Sequence, residues 1–297
     1  MDAFMNPSAS NTPAAYLVPT SVDEAAAALS HGDATLLAGG TDLMPQTHQG
    51  VRAFRHTLVN INRIAELKTV SQTGDKVRIG ALVTITELLH DKLIHQYFPI
   101  LVAAADHFAS DQIRNAATVG GNLCNASPAG DMLPPLLAVD ATVELACRKE
   151  DRLQRRNVPL DQFFLGPRRT AMAADELLTA VEIPLPPPRH YGRFFKLGTR
   201  PALDISIISV ALTGVLDNRQ LNQVRVAFGS VAPIPLRARR TEAALEGRTL
   251  DAEVIRAAAE TARAEATPIS DVRASAWYRS EMVFNMMRRL LHEAADA

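Results

Sequence analysis

An α+β fold in two parts is what this sequence predicts, and three features predict it. In the first half, short apolar stretches alternate with capped helix starts and glycine turns. A proline run, Pro184 followed by Pro186-Pro187-Pro188, then interrupts the chain. Such a run has little conformational freedom and marks a boundary between units. Beyond it come strand candidates and then helices, the order of an antiparallel sheet with helices on one face. The expected division is a leader over residues 1–13, a first unit over 14–187 and a second over 188–297.

The elements follow in order. Ala14 to Pro19 reads as a short strand. Ser21 with Glu24 has capping-box spacing ahead of an alanine run, which predicts a helix through Ser30. Thr35 to Ala38 is an apolar strand, and a short helix follows the glycines after it. His56 to Ile61 and Val77 to Gly80 are strands, with a turn over Asn62 to Leu67. Thr84 with Glu87 marks a helix start that continues near Leu89. Pro99 opens a helix through Phe108, with Ile100, Leu101, Ala104 and Phe108 as its buried stripe. Ser110 to Asn125 is polar and glycine-rich, and Met132 to Val139 is apolar. Ala141 to Cys147 alternates as a strand, Lys149 to Asn157 is a charged hairpin or loop, and Glu176 to Ile183 is a strand stopped by Pro184. In the second unit Tyr191 to Gly198, Ile205 to Gly214 and Val224 to Gly229 are strand candidates forming a three-stranded antiparallel sheet, with a hairpin turn over Leu216 to Arg219. Helices are expected near Arg237 to Glu246, Ala252 to Glu265 and Ser275 to Ala295.

Composition removes several classes. Of 297 residues 47% are apolar and 21% charged, which supports a substantial core. Lys plus Arg is 31 and Asp plus Glu 32, and a formal charge of -1 argues against broad nucleic-acid contact. No apolar run reaches membrane-spanning length, and the first residues lack the basic end and apolar core of a signal peptide. A cytoplasmic, reducing location is the expectation. Only Cys124 and Cys147 are present, so the chain cannot supply four thiolates to an iron–sulfur cluster, nor is it a disulfide scaffold. The eight histidines are dispersed, and no metal ligand is expected.

Two glycine stretches carry the candidate site. One runs from Leu37 through Ala38, Gly39, Gly40, Thr41 and Asp42 to Leu43; the other is Thr118-Val119-Gly120-Gly121-Asn122. Glycine lets a ligand approach the main chain, and clustered N–H groups form an anion-binding nest. Together they suggest two walls of one site for an extended phosphorylated cofactor. A single Gly-Gly pair is more often only a turn. Asp42 would cap a helix or accept bonds from loop amides. Neither the Gly-x-Gly-x-x-Gly pattern of an ordinary dinucleotide domain nor a Walker A loop is present. Asp131 reads as a helix cap or an acceptor for ribose hydroxyls, and Phe108 as core packing. Lys196 reads as an edge-strand lysine reaching solvent or as a cation beside a ring or phosphate. Arg114 and Arg200 read as surface ion pairs or phosphate contacts. No Ser-His-Asp or Cys-His arrangement is visible, and no catalytic residue is assigned.

In combination and in order, these motifs resemble the FAD-binding, or medium, subunit of the molybdenum hydroxylase (xanthine dehydrogenase) family. The marks are Ala38-Gly39-Gly40-Thr41-Asp42-Leu43, Gln112-Ile113-Arg114-Asn115-x-x-Thr118-Val119-Gly120-Gly121-Asn122, Ser127-Pro128-x-x-Asp131, and Phe195-Lys196 with Arg200 downstream. Ala227-Phe228-Gly229 and the stretch from Ala274 to Arg279 look like the family's small C-terminal domain. The resemblance implies a two-part FAD module of the PCMH, or vanillyl-alcohol-oxidase, type followed by that C-terminal domain. It implies that residues 37–43 wrap the FAD pyrophosphate, that Thr118 to Asn122 form the second contact, and that Phe108, Asp131, Leu178 and Lys196 fall on flavin-site positions. It further implies partners: a large subunit with the molybdenum cofactor and a small one with two 2Fe–2S clusters, assembled as a dimer of heterotrimers. Electrons would reach FAD from those clusters and leave to NAD+, a quinone or oxygen. Two alternatives stay open on the residues alone, a self-contained FAD oxidoreductase and an assembly subunit without FAD.

Overall fold

The computed structural model describes residues 12–200 and 203–297; all but the last two residues of the expected leader lie outside them. The first elements are β1 (Ala15–Leu17), α1 (Val22–Leu29), β2 (Ala34–Leu37), α2 (Leu43–His48) and β3 (Thr57–Asn60). Their strands form a parallel sheet in the order β1-β3-β2, and α1 and α2 supply the crossovers that parallel pairing requires. Ser21 caps α1 by accepting a hydrogen bond from the Glu24 N–H at 3.2 Å. The Glu24 carboxylate, however, accepts from Thr20 rather than Ser21, one residue away from the expected box.

The next elements are β4 (Val70–Thr73), β5 (Lys76–Gly80), α3 (Ile85–His90), α4 (Lys92–Tyr97), α5 (Pro99–Asp106), α6 (Asp111–Arg114), α7 (Val119–Asn125), α8 (Leu133–Ala138), β6 (Thr142–Lys149), β7 (Arg152–Pro159), β8 (Phe164–Gly166), β9 (Arg169–Thr170) and β10 (Leu177–Pro184). Five strands make an antiparallel sheet, β4-β5-β10-β6-β7, with β10 buried at its centre. Thr84 and Glu87 form the reciprocal capping box that their spacing predicts. One departure from the expectations here has a local cause. The Pro99 helix stops at Asp106, and Ala109 at φ 38° turns the chain just after Phe108. Within the polar stretch from Ser110 to Asn125, Ser110 and Thr118 cap two short helices. The charged stretch from Lys149 to Asn157 takes the hairpin form of the two expected, as Glu150 and Asp151 both take positive φ and turn β6 into β7. Most of β7 is exposed, so its arginines mask the strand pattern.

The second unit holds β11 (His190–Leu197), β12 (Ile208–Asp217), β13 (Gln220–Gly229), β14 (Leu236–Arg237), α9 (Arg239–Leu245), β15 (Arg248–Thr249), α10 (Ala252–Glu265) and α11 (Ala276–Ala295). The sheet runs β11-β12-β13-β14, with β15 also paired to β13. It therefore has five strands rather than three; the two extra ones are two-residue pieces, too short to leave a periodic signal. β12 begins at Ile208 rather than Ile205, and its turn into β13 uses Asn218 and Arg219 at positive φ. Alternation along the strands splits the sheet between two cores. Val210, Leu212, Val226 and Phe228 join the core beneath α10 and α11. The smaller Ala211 and Ala227 join the core of the first unit, where α5 and α8 lie on the sheet. No helix among the described residues is long and apolar enough to cross a membrane.

Candidate functional site

A cleft of about 310 Å³ opens beside the parallel sheet, with β10 of the five-stranded sheet contributing to its far wall. One wall is the turn after β2, Ala38, Gly39, Gly40, Thr41, Asp42 and Leu43. Facing residues are Thr118, Gly120, Gly121 and Asn122 at the start of α7, Phe108 after α5, and Leu178 on β10. Twelve of the residues singled out from the sequence thus come together here. Leu37, Asp131 and Lys196 do not line the cleft.

The two glycine stretches differ in what their amides do. Among the described residues, none accepts a hydrogen bond from the N–H groups of Gly39, Gly40, Thr41, Asp42 or Leu43. Gly40 sits at φ +71°, a backbone state that L side chains rarely adopt. In the second stretch the amides from Val119 to Asn122 all have partners inside the protein. Val119 donates to Val83 O at 2.9 Å, Gly120 to Ala81 O at 2.9 Å and Asn122 to Thr118 O at 3.0 Å. Gly121 donates to Thr118 Oγ1 at 3.0 Å, so that hydroxyl oxygen serves as the helix cap. The glycines there permit packing: a Cβ on Gly120 would lie 2.7 Å from Ala81 O. Gly39 has a packing role as well, since a Cβ there would overlap Ala116 O.

Two buried oxygens in or beside the cleft have no partner among the described residues, Asn122 Oδ1 and Asp131 Oδ1. Asp131 lies just before α8, and its other oxygen accepts from Lys196 Nζ at 2.7 Å. Lys196, on β11, also donates to His107 O at 3.0 Å, the residue before Phe108. The lysine does not reach solvent, as an edge position suggested; its side chain is 6% exposed. Burial pushes the Asp131 carboxyl up to about 6, against the opposing pull of the Lys196 ammonium. Asp42 makes no capping bond, in contrast to the expectation; burial raises its carboxyl, and Arg168 opposes this. Arg114 donates to Phe108 O at 2.8 Å and braces that turn, whereas Arg200 is tied to Leu203 O on the surface.

The cleft also holds residues that sequence reasoning missed. Thr170, Met172, Ala174 and Glu176 line one side. Arg156 donates to both Glu176 carboxylate oxygens, at 2.5 and 2.7 Å, and Ala173 N–H donates to one of them at 2.7 Å. Arg156 thereby keeps the Glu176 carboxyl below its usual range. No local spacing announces this pair, because its members are brought together only by the β6-β7-β10 packing. Cys124 also lines the cleft and is exposed to it, yet the surrounding walls raise its thiol above the ordinary value. It is not an activated nucleophile. Among the described residues no group of three or more His, Cys, Asp or Glu is placed to hold a metal.

Two family models match this chain. Residues 9–186 match the FAD binding domain in molybdopterin dehydrogenase, and residues 193–294 the CO dehydrogenase flavoprotein C-terminal domain. The chain belongs to this FAD-binding family. Its fold is the PCMH-type FAD module followed by the flavoprotein C-terminal domain. The xanthine dehydrogenase FAD-binding subunit of Escherichia coli O157:H7 is 36% identical over 266 residues, covering 89% of each chain. The nicotine 6-hydroxylase medium subunit of Paenarthrobacter nicotinovorans is 32% identical over 285 residues, covering 94% of this chain and 96% of the relative. Among solved structures, carbon monoxide dehydrogenase from Hydrogenophaga pseudoflava superposes with a TM-score of 0.89 at 33% identity, covering 95% of this chain and 97% of that one. As a member of this FAD-binding family the chain is an FAD-dependent oxidoreductase subunit.

Proposed function

We propose that this chain is the electron-transfer subunit of a molybdenum hydroxylase, taking electrons from 2Fe–2S clusters on a partner and passing them to NAD+, a quinone or oxygen. The observation that carries the reading is the turn from Gly39 to Leu43. Its amides have no partner among the described residues, and it lines a cleft that also contains Asn122, whose buried Oδ1 has none among them either. These residues fit FAD. The open amides would hold the pyrophosphate, whose charge suits clustered N–H donors. Asn122 and Asp131 would accept from cofactor N–H or hydroxyl groups, which a lone buried acceptor requires. Phe108 and Leu178 would shield the rings from water. FAD, when bound, supplies the redox chemistry, and the chain supplies position and electrostatics.

The donors must lie elsewhere. Two cysteines cannot ligate a cluster that needs four. A large subunit would carry the molybdenum cofactor and the substrate site, a small one the iron–sulfur clusters, and the trimer would pair. The test is to purify the chain alone and together with its molybdenum and iron–sulfur partners, then record visible spectra and substrate-driven flavin bleaching. The reading expects one FAD per chain in both samples and bleaching only with the partners. Substrate turnover by the chain alone would make it a self-contained flavin enzyme, and failure of the chain to bind added FAD would make it an assembly subunit.

A further inference from the structure

We infer that Arg156 is a positioning residue for the cofactor: from behind the cleft wall it latches the segment from Ala171 to Glu176, and that segment keeps FAD in place. The inference rests on the FAD reading above. Arg156 itself, on β7, does not line the cleft. The segment between β9 and β10 does, at alternate positions: Met172, Ala174 and Glu176, continuing from Thr170. One face of the stretch therefore lies along the cleft.

Arg156 Nε donates to Glu176 Oε1 at 2.5 Å and Nη2 to Oε2 at 2.7 Å, a two-pronged contact that fixes direction as well as distance. Nη2 also donates to Ala171 O at 2.9 Å, so a single guanidinium ties both ends of the segment. Within it, Ala173 N–H donates to Glu176 Oε2 at 2.7 Å and Glu176 N–H to Ala173 O at 3.2 Å, which closes the turn. Glu176 is buried, and among the described residues its carboxylate accepts hydrogen bonds only from Arg156 and Ala173. Without the guanidinium, that buried charge would keep a single N–H donor. Such a state drives the side chain toward water and carries the segment with it.

The segment also reaches α7. Cys124 Sγ donates to Met172 Sδ at 3.5 Å, and both residues line the cleft. The chain of contacts thus runs from β7 through Glu176 and Met172 to the helix that begins at the second glycine stretch. A wall held this way prolongs contacts with a bound cofactor, and loosening it shortens the bound lifetime more than it alters entry. Arg155, the neighbour on β7, provides an internal comparison. It donates to Glu144 Oε1 on β6 at 2.7 Å, and neither residue lines the cleft.

The experiment measures FAD association and dissociation rates of the full chain by flavin fluorescence. It also measures how fast N-ethylmaleimide alkylates Cys124 in the apo-chain, located by peptide mass spectrometry. The variants are Arg156→Gln, Arg156→Lys, Glu176→Gln, the Arg156→Gln/Glu176→Gln double and Arg155→Gln, each checked by apo-protein melting. Arg156→Gln and Glu176→Gln should each release FAD roughly tenfold faster, with association within about twofold of wild type. Both should speed alkylation of Cys124, as Met172 moves off it. Arg156→Lys should recover little, since an ammonium cannot form the fork. The double should release FAD no faster than Arg156→Gln, because the two side chains act as one unit. Arg155→Gln should leave FAD release and alkylation at their wild-type rates. Unchanged FAD release or unchanged alkylation in Arg156→Gln would overturn the inference. Equal acceleration in Arg155→Gln would overturn it too, by reducing the effect to a general loosening of the sheet, and so would fully additive losses in the double. A wild-type chain that binds no FAD would instead overturn the reading beneath it.

Discussion

The turn at Gly39-Gly40 and the turn at Gly120-Gly121 have the same composition and line the same cleft, yet only the first has amides to offer. At Gly120-Gly121 the N–H groups complete a helix start and an anchor to the chain after β5. At Gly39-Gly40, on the cleft wall, they have no partner among the described residues. Glycine pairs thus serve two different ends within one site. The first gives access to the backbone, and the second lets two backbones meet.

Substitution separates these ends, and the largest effect is expected at Gly39. A Cβ there would overlap the Ala116 carbonyl, which belongs to the main chain and cannot rotate away. Gly39→Ala should lower stability by about 1–3 kcal/mol and abolish FAD retention, measured by urea unfolding and by flavin content of the purified protein. Gly40→Ala meets only the side chains of Leu37 and Met44 but must hold φ +71°. It should cost about 1–2 kcal/mol and release the cofactor in proportion as the turn relaxes, read from the FAD dissociation constant. Thr118→Val removes the α7 cap. It should cost about 1 kcal/mol of stability while leaving FAD affinity within about twofold, since the hydroxyl oxygen already serves Gly121. A large affinity loss in Thr118→Val at unchanged stability would erase the contrast between the two turns.

The smallest effect concerns the cleft wall at Glu176. Its folded pKa lies below the ordinary value of 4.5, chiefly through the hydrogen bond from Arg156. The pair therefore stabilises fully above that value and loses its contribution as pH falls through the lower folded pKa. Acid titration followed by Trp277 fluorescence or circular dichroism should show a small destabilisation below pH 4.5 that Arg156→Gln removes. An acid limb identical in the variant would detach the wall from this pair.

These contrasts also explain what was legible in the sequence. The strand leading to Gly39, the Thr84-Glu87 capping box and the long C-terminal helices are set by neighbours within a few residues, and they could be read. The convergence of both glycine stretches on one cleft was legible through motif order. The use of their amides was not, because the acceptors for Val119 and Gly120 lie at Val83 and Ala81, distant in sequence. The sequence left Lys196 between a solvent-reaching edge lysine and a cation beside a ring or phosphate, because the partners that bury it, Asp131 and the end of α5, are distant in sequence. The Arg156-Glu176 pair and the short strands β14 and β15 left no local signal for the same reason.

Amide hydrogen exchange of the full chain, with and without FAD, tests the division between the two turns most directly. The amides from Gly39 to Leu43 should exchange freely in the apo-protein and become protected when FAD binds, while those of Val119, Gly120 and Asn122 should be protected in both states. Protection gained at Val119 to Asn122 with none at Gly39 to Leu43 would reverse the assignment and place the phosphate contacts on the second turn.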